Sequence, residues 1–210
     1  MKTHKKLVSI LCAVALLVSA LPAATAAEPL SEYAGKTIPV QVVEETENGF
    51  TSRVINVAIP ENATKAEKDA LVLSAASDCT ASAFSAKSSN MYILSTEENL
   101  VIGAAEKKVG GGPRPAGMTG SFEKIVIAAT ITQSDGGGNT KLFFQVKDVA
   151  NPDNHTSWDA GELNINKFPW EVIIFCNGLP TSDSGISVYA KTVPDWYIYL
   201  SSCTVIGYGE

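Results

Sequence analysis

The stretch TIPVQVVEETENGFTSRVINVAIP, residues 37–60, decides the fold class. Two runs rich in β-branched residues flank a Thr-Glu-Asn-Gly segment, and Asn48-Gly49 supplies the positive φ that a tight hairpin turn demands. In the second run Ile55, Val57 and Ile59 alternate with Val54, Asn56 and Ala58. A period of two with one strongly apolar set is the pattern of a strand buried on one side.

The pattern recurs toward the C-terminus. MYILST (91–96) and LVIGAA (100–105) read as two short strands, and FEKIVIAATITQ (122–133), SDGGGN (134–139) and TKLFFQVKDV (140–149) as a long hairpin. FPWEVIIFC (168–176), GISVYAKTV (185–193) and DWYIYLSSCTVIGYG (195–209) complete the set. Residues 172–176 are apolar throughout, as a strand buried on both faces should be. VGGGPRPAGMTG (109–120) reads as a surface loop, because its glycines and prolines are poor ladder residues. It lacks the lysine ending of a phosphate-binding loop.

One helix interrupts the strands. Pro60 stops the hairpin, Thr64 and Glu67 form a capping box, and Ala66, Ala70 and Leu73 follow at helical spacing, which predicts a helix near 64–77. With roughly eight to ten strands and no domain-scale linker, the expected fold is mostly β. It is a single-domain sandwich or partly closed barrel over residues 27–210, with one packed α-helix.

Residues 1–26 predict a signal peptide. MKTHKK is basic, residues 7–21 form an apolar run too short for a span, and Ala24-Thr25-Ala26 fits a cleavage site. Cys12 lies inside the apolar core without a small residue before it, which argues against lipidation. The expectation is a bacterial protein that is secreted and extracellular, with no membrane association after cleavage. Losing Lys2, Lys5 and Lys6 takes the basic count from 16 to 13 against 22 acids, a net charge near −9. That balance argues against nucleic acid and anionic lipid as partners, since both call for a basic face, and the only adjacent basic pair left is Lys107-Lys108.

The mature chain would keep one histidine, His155, and three cysteines, Cys79, Cys176 and Cys203. Two-histidine zinc sites are therefore impossible, and the short paired spacing of structural zinc is missing. Cys176 and Cys203 are the first candidates for a disulfide, the alternative being three small buried hydrophobes. Ser182-Asp183-Ser184-Gly185 lacks the flanking glycines of a protease nucleophile turn, and no G-x-S-x-G elbow exists. The order His155 then Cys176 resembles that of secreted sortases, yet Phe175 stands where that family has threonine. No arginine follows Arg114, so the resemblance is rejected.

Three constellations remain. NPDNHTSWDAGE (151–162) offers hard oxygen ligands, with Asp153, Asp159 and Glu162 as candidates for calcium; the alternative is a hydrated Asx-rich turn. Glu162, Glu171 and Asp195 are candidate acid and base of a glycosidase-like hydrolase, which needs two carboxylates about 5–10 Å apart. Trp158, Trp196, Tyr197 and Tyr199 are candidate sugar-stacking rings, with Tyr197 and Tyr199 sharing one side of their strand. With no intact catalytic motif, the expected function is a non-catalytic binding module for a glycan or an extracellular surface protein. The alternatives are a secreted hydrolase and an extracellular assembly or inhibitor protein.

Overall fold

The structure, a computed structural model, describes residues 30–80, 90–135, 140–163, 170–177 and 184–210; at Thr140 and residues 158–163 it describes the backbone only. The expected signal peptide lies outside the described residues. The chain divides into two compact units, Met1–Ile38 with Asn56–Ala83, and Pro39–Ile55 with Phe84–Glu210.

In the first unit, Leu30 bridges Thr64 and the Ser31 amide donates to the Ala63 carbonyl at 2.8 Å. Helix α1, Lys65–Asp78, starts as the capping box predicts. The Glu67 amide donates to Thr64 Oγ1 at 3.3 Å and the Thr64 amide to Glu67 Oε2 at 2.9 Å. The buried stripe is Lys68, Val72 and Ala76, whereas Ala66, Ala70 and Leu73 are only half-buried. Lysine can take the leading place because its stem is apolar and its ammonium finds partners. Lys68 Nζ lies 5.4 Å from the centre of the Tyr33 ring and 2.8 Å from Asp69 Oδ1.

The strands are β1 (Thr37–Thr46), β2 (Gly49–Ala58), β3 (Asn90–Ile102), β4 (Lys107–Pro113), β5 (Lys124–Ser134), β6 (Thr140–Asp148), β7 (His155–Leu163), β8 (Trp170–Asn177), β9 (Gly185–Thr192) and β10 (Ile198–Gly209). They form a six-stranded sheet, β2-β1-β8-β5-β10-β3, packed on a four-stranded sheet, β4-β9-β6-β7, and among the described residues no barrel closes. Of the expected sandwich or partly closed barrel with one helix, the sandwich is the fold found, with one helix among the described residues. Gly49, at φ 107, makes the first turn, and Thr46 Oγ1 donates to its carbonyl at 2.8 Å. β1 then pairs in parallel with β8, so that Val42 faces Ile173 and Val43 faces Ile174.

The core lies between the sheets. Val172, Ile174, Ile127 and Val205 from the larger sheet join Phe144, Val146, Ile186 and Val188 from the smaller in one cluster. The centre of the larger sheet is also buried on its other face, where Val40, Val42, Val126, Ile173 and Phe175 are at most 5% exposed. Trp170 is core, its Nε1 donating to Gln41 Oε1 at 3.1 Å.

Four sequence expectations are corrected. Residues 124–134 and 140–148 are not a hairpin: β5 lies between β8 and β10, while β6 lies between β9 and β7 in the other sheet. β5 buries both faces and β6 only one, so each joins the sheet that matches its pattern. The two short strands within residues 91–105 are one strand, β3, which continues through exposed Glu97 and Glu98 with Asn99 at φ 55, a conformation asparagine tolerates.

Residues 107–113 are a strand rather than a loop, and their glycines are needed for close approach. A Cβ on Gly110 would stand 2.6 Å from Val205 Cγ2 and 2.7 Å from Ser95 Oγ, and one on Gly111 would strike the Ile186 carbonyl. Finally, all three described cysteines are free. Cys176 pairs with Ile125 on one side of β5 and Cys203 with Ala129 on the other. Two strand spacings, about 10 Å, and four residues of rise, about 13 Å, separate them. A disulfide needs Cα atoms within about 7 Å.

Candidate functional site

An aromatic platform forms where β10 begins. The Tyr197 amide donates to Asp135 Oδ1 at 2.5 Å and the Asp135 amide donates to the Tyr197 carbonyl at 3.1 Å. The bond from the Asp135 amide continues the β5–β10 pairing one step past Ile198, so residues 197–199 keep strand alternation. Tyr197 and Tyr199 share the outer side, while Ile198 is buried in the core. The Tyr197 ring lies over Gly103, where a Cβ would sit 3.3 Å from Cε1, and the residue is 50% exposed. Tyr199 is half-buried opposite Val101, itself 40% exposed. Asp195 turns the chain into the platform at φ 67. Trp196, before the start of β10, is half-buried. Trp158 is on β7, opposite Phe144 in the smaller sheet, and its side chain lies outside the description. The structure thus joins Tyr197 with Tyr199 and places Trp158 on another sheet.

The acidic stretch that follows β6 closes a turn. Asp148 is buried, its Oδ1 accepts from the Ala150 amide at 2.8 Å, and its amide donates to the Asn154 carbonyl at 3.1 Å. The Asn154 amide donates to the Asn151 carbonyl at 2.9 Å, and Asp153 is exposed at the tip. Asp159 and Glu162 lie further along β7, opposite Phe143 and Lys141. From His155 to Asp159 the extended chain covers about 14 Å at roughly 3.4 Å per residue. Among the described residues no three His, Cys, Asp or Glu side chains group as metal ligands.

Of the candidate acids, Glu171 is buried in the larger sheet. Its Oε2 accepts from Thr130 Oγ1 at 2.9 Å, and Thr130 Oγ1 accepts from Ser202 Oγ at 3.1 Å. These three residues span β8, β5 and β10, while Asp195 lies beyond the start of β10. Two strand spacings and at least four residues of rise keep Glu171 and Asp195 roughly 15 Å or more apart, too far for a paired-carboxylate site.

The smaller sheet's outer row brings lysines of separate strands together, with Asp159 opposite Phe143 in the same row, a grouping that sequence reasoning missed. Phe144, Val146, Val188 and Ala190 point into the core, so Phe143, Gln145, Lys147, Ser187, Tyr189 and Lys191 point out. Gln145 pairs with Tyr189 and Ser157, Lys147 with His155, and Lys108 with Tyr189. Glu106, in the 103–106 connection, reaches onto this face. Lys147 Nζ lies 2.8 Å from its Oε2 and Lys191 Nζ 4.0 Å from its Oε1. Lys147 Nζ also lies 4.7 Å from the Tyr189 ring centre. The hydrogen bond from Lys147, with the charges of Lys147, Lys191 and His155, holds the Glu106 carboxyl below its ordinary range, against a smaller opposing effect of burial.

Gln145 Nε2 donates to Ser157 Oγ at 3.1 Å, but its Oε1 is buried without a partner, which costs about 1–3 kcal/mol. The signal for this face was present in the every-second-residue polar rows of β6 and β9. A scan for neighbouring lysines cannot see it, because the strands bring distant lysines together. No family model matches the chain, and no curated protein matches it.

Proposed function

We propose that the chain is a secreted, non-catalytic binding module whose ligand, a glycan or an extracellular surface protein, is engaged through Tyr197 and Tyr199. The observation that carries this reading is the exposed Tyr197 ring over Gly103, on a residue whose amide donates to the Asp135 carboxylate and whose carbonyl accepts from the Asp135 amide. A ring held in place before binding loses little freedom on contact, and a flat aromatic surface suits both a sugar face and a protein anchor. The N-terminal basic and apolar segments support export.

The test is a glycan array, with a surface-protein pull-down beside it, using the mature chain and Tyr197→Ala. The substitution should weaken binding about tenfold or more, as expected for a central aromatic anchor, with the melting temperature nearly unchanged. A wild-type chain that captures nothing in either format, or a variant that binds equally well, overturns the reading.

A further inference from the structure

We propose that β2 is the docking strand for a second copy of this chain, the two copies pairing antiparallel about Ser52 so that their larger sheets join. β2 and β3 are the opposite edges of that sheet, and Tyr197 lies beside the β3 edge, so the proposal stands whether or not the tyrosines bind a ligand.

The four sheet edges are not alike. An edge strand presents a row of backbone donors and acceptors, and proteins guard it with charge, proline, a bulge or a covering segment. β3 carries exposed Glu97 and Glu98 and has Asn99 at φ 55. β4 also meets it, the Gly111 amide donating to Ser95 Oγ at 2.8 Å. β4 itself carries exposed Lys107 and Lys108, and β7 has His155, Asp159 and Glu162 along its length. β2 has no acid, lysine or proline, and residues 49–54 are all exposed. Its one charged side chain, Arg53, is turned to Glu44 of β1 at 3.4 Å. Among the described residues β2 has a neighbouring strand on one side only.

The sequence of β2 is also complementary to itself. A two-fold axis through Ser52 sets Phe50 opposite Val54 and Thr51 opposite Arg53, each twice. Phe50 is 43% exposed and Val54 52%, and both share the side of the strand that carries Ser52. An aromatic ring opposite a β-branched residue is a favourable cross-strand pair. Moving the axis to Arg53 would set two like charges directly opposite each other, which is unfavourable. A second copy therefore supplies an edge that is equally unguarded and matched in pattern. Two strands of this length make a small contact, so the dimer exchanges with monomer as concentration changes. Each copy is net negative, so salt should strengthen the association by screening the repulsion.

The experiment is sedimentation equilibrium of the mature chain over about a hundredfold range of concentration, up to about 0.5 mM, which should show monomer and dimer in exchange. Val54→Lys gives β2 the guard that β4 carries and should weaken association about tenfold or more. Crosslinking then reads the register in a Cys79→Ser background, which removes the half-buried thiol and leaves only the buried Cys176 and Cys203. Under mild oxidation Ser52→Cys should give a disulfide-linked dimer. Val54→Cys should not, because four residues of rise, about 13 Å, would part its two thiols, whereas a disulfide needs Cα atoms within about 7 Å. If circular dichroism shows that Ser52→Cys does not fold, the wild-type and Val54→Lys sedimentation still decide. A wild-type chain that stays monomeric, Val54→Lys that associates as tightly as wild type, a folded Ser52→Cys that does not crosslink, or equal crosslinking by Val54→Cys each overturns the proposal.

Discussion

Strands β8 and β6 differ in how their apolar residues are spaced, and the difference separates the two sheets. β8 buries seven consecutive residues, from Trp170 to Cys176, while β6 buries Leu142, Phe144 and Val146 and leaves the residues between them half-buried. A strand of the first kind leaves none of those side chains to solvent, even the Glu171 carboxylate being turned to Thr130. One of the second kind keeps a polar row free for chemistry, and Gln145 and Lys147 stand in that row. Candidate sites are therefore to be sought on the smaller sheet and at the open ends of the larger one, not at the larger sheet's centre.

The contrast is broken most severely at Ile174, which is fully buried in the shared core. Ile174→Ala should cost about 3 kcal/mol in urea unfolding, the usual scale for a buried isoleucine truncated to alanine.

Alkaline pH should act next, and again through the larger sheet. Burial pushes the Cys203 thiol to about 12, with the Glu97 charge adding to the effect, and burial also pushes Cys176 well up and Tyr208 to about 12. An acid raised in the folded state stays protonated there while the unfolded chain ionises. Its contribution to stability is therefore complete below about pH 9 and is lost as pH climbs toward 12. Urea midpoints should fall steadily from pH 9 to 10.5, by on the order of 2 kcal/mol per buried thiol. Cys203→Ala should flatten that slope.

The smallest effect belongs to the smaller sheet's outer row. Gln145→Met removes both the bond to Ser157 and the unsatisfied buried oxygen, so stability should stay within about 0.5 kcal/mol of wild type in the same urea assay. A large loss there would mean that this row serves packing as fully as β8 does.

The comparison also explains what could be read from the residues alone. Residues 172–176 declared a doubly buried strand, residues 54–59 a singly buried one, and Thr64 with Glu67 a helix start, because each signal is local. Pairing was not legible. Consecutive β5 and β6 look like a hairpin, and only the contrast between their two burial patterns, visible once neighbours are known, assigns them to different sheets. The glycines of β4 looked like a loop because the reason for them, Val205 and Ser95, lies elsewhere in the sequence. At the candidate sites, Tyr197 and Tyr199 could be placed on one side by alternation. The Lys147–Glu106–Lys191 arrangement needed three separate segments to meet.

The parallel pairing of β1 with β8 sets the order in which the molecule can be completed. β1 lies near the start of the described chain, and its neighbour ends at Asn177, so the intervening residues must exist before that ladder can close. Pairings between such distant segments close slowly, because chain entropy is lost before the contacts reward it. The larger sheet cannot be finished until β8 and β10, which lie inside it, have both been made.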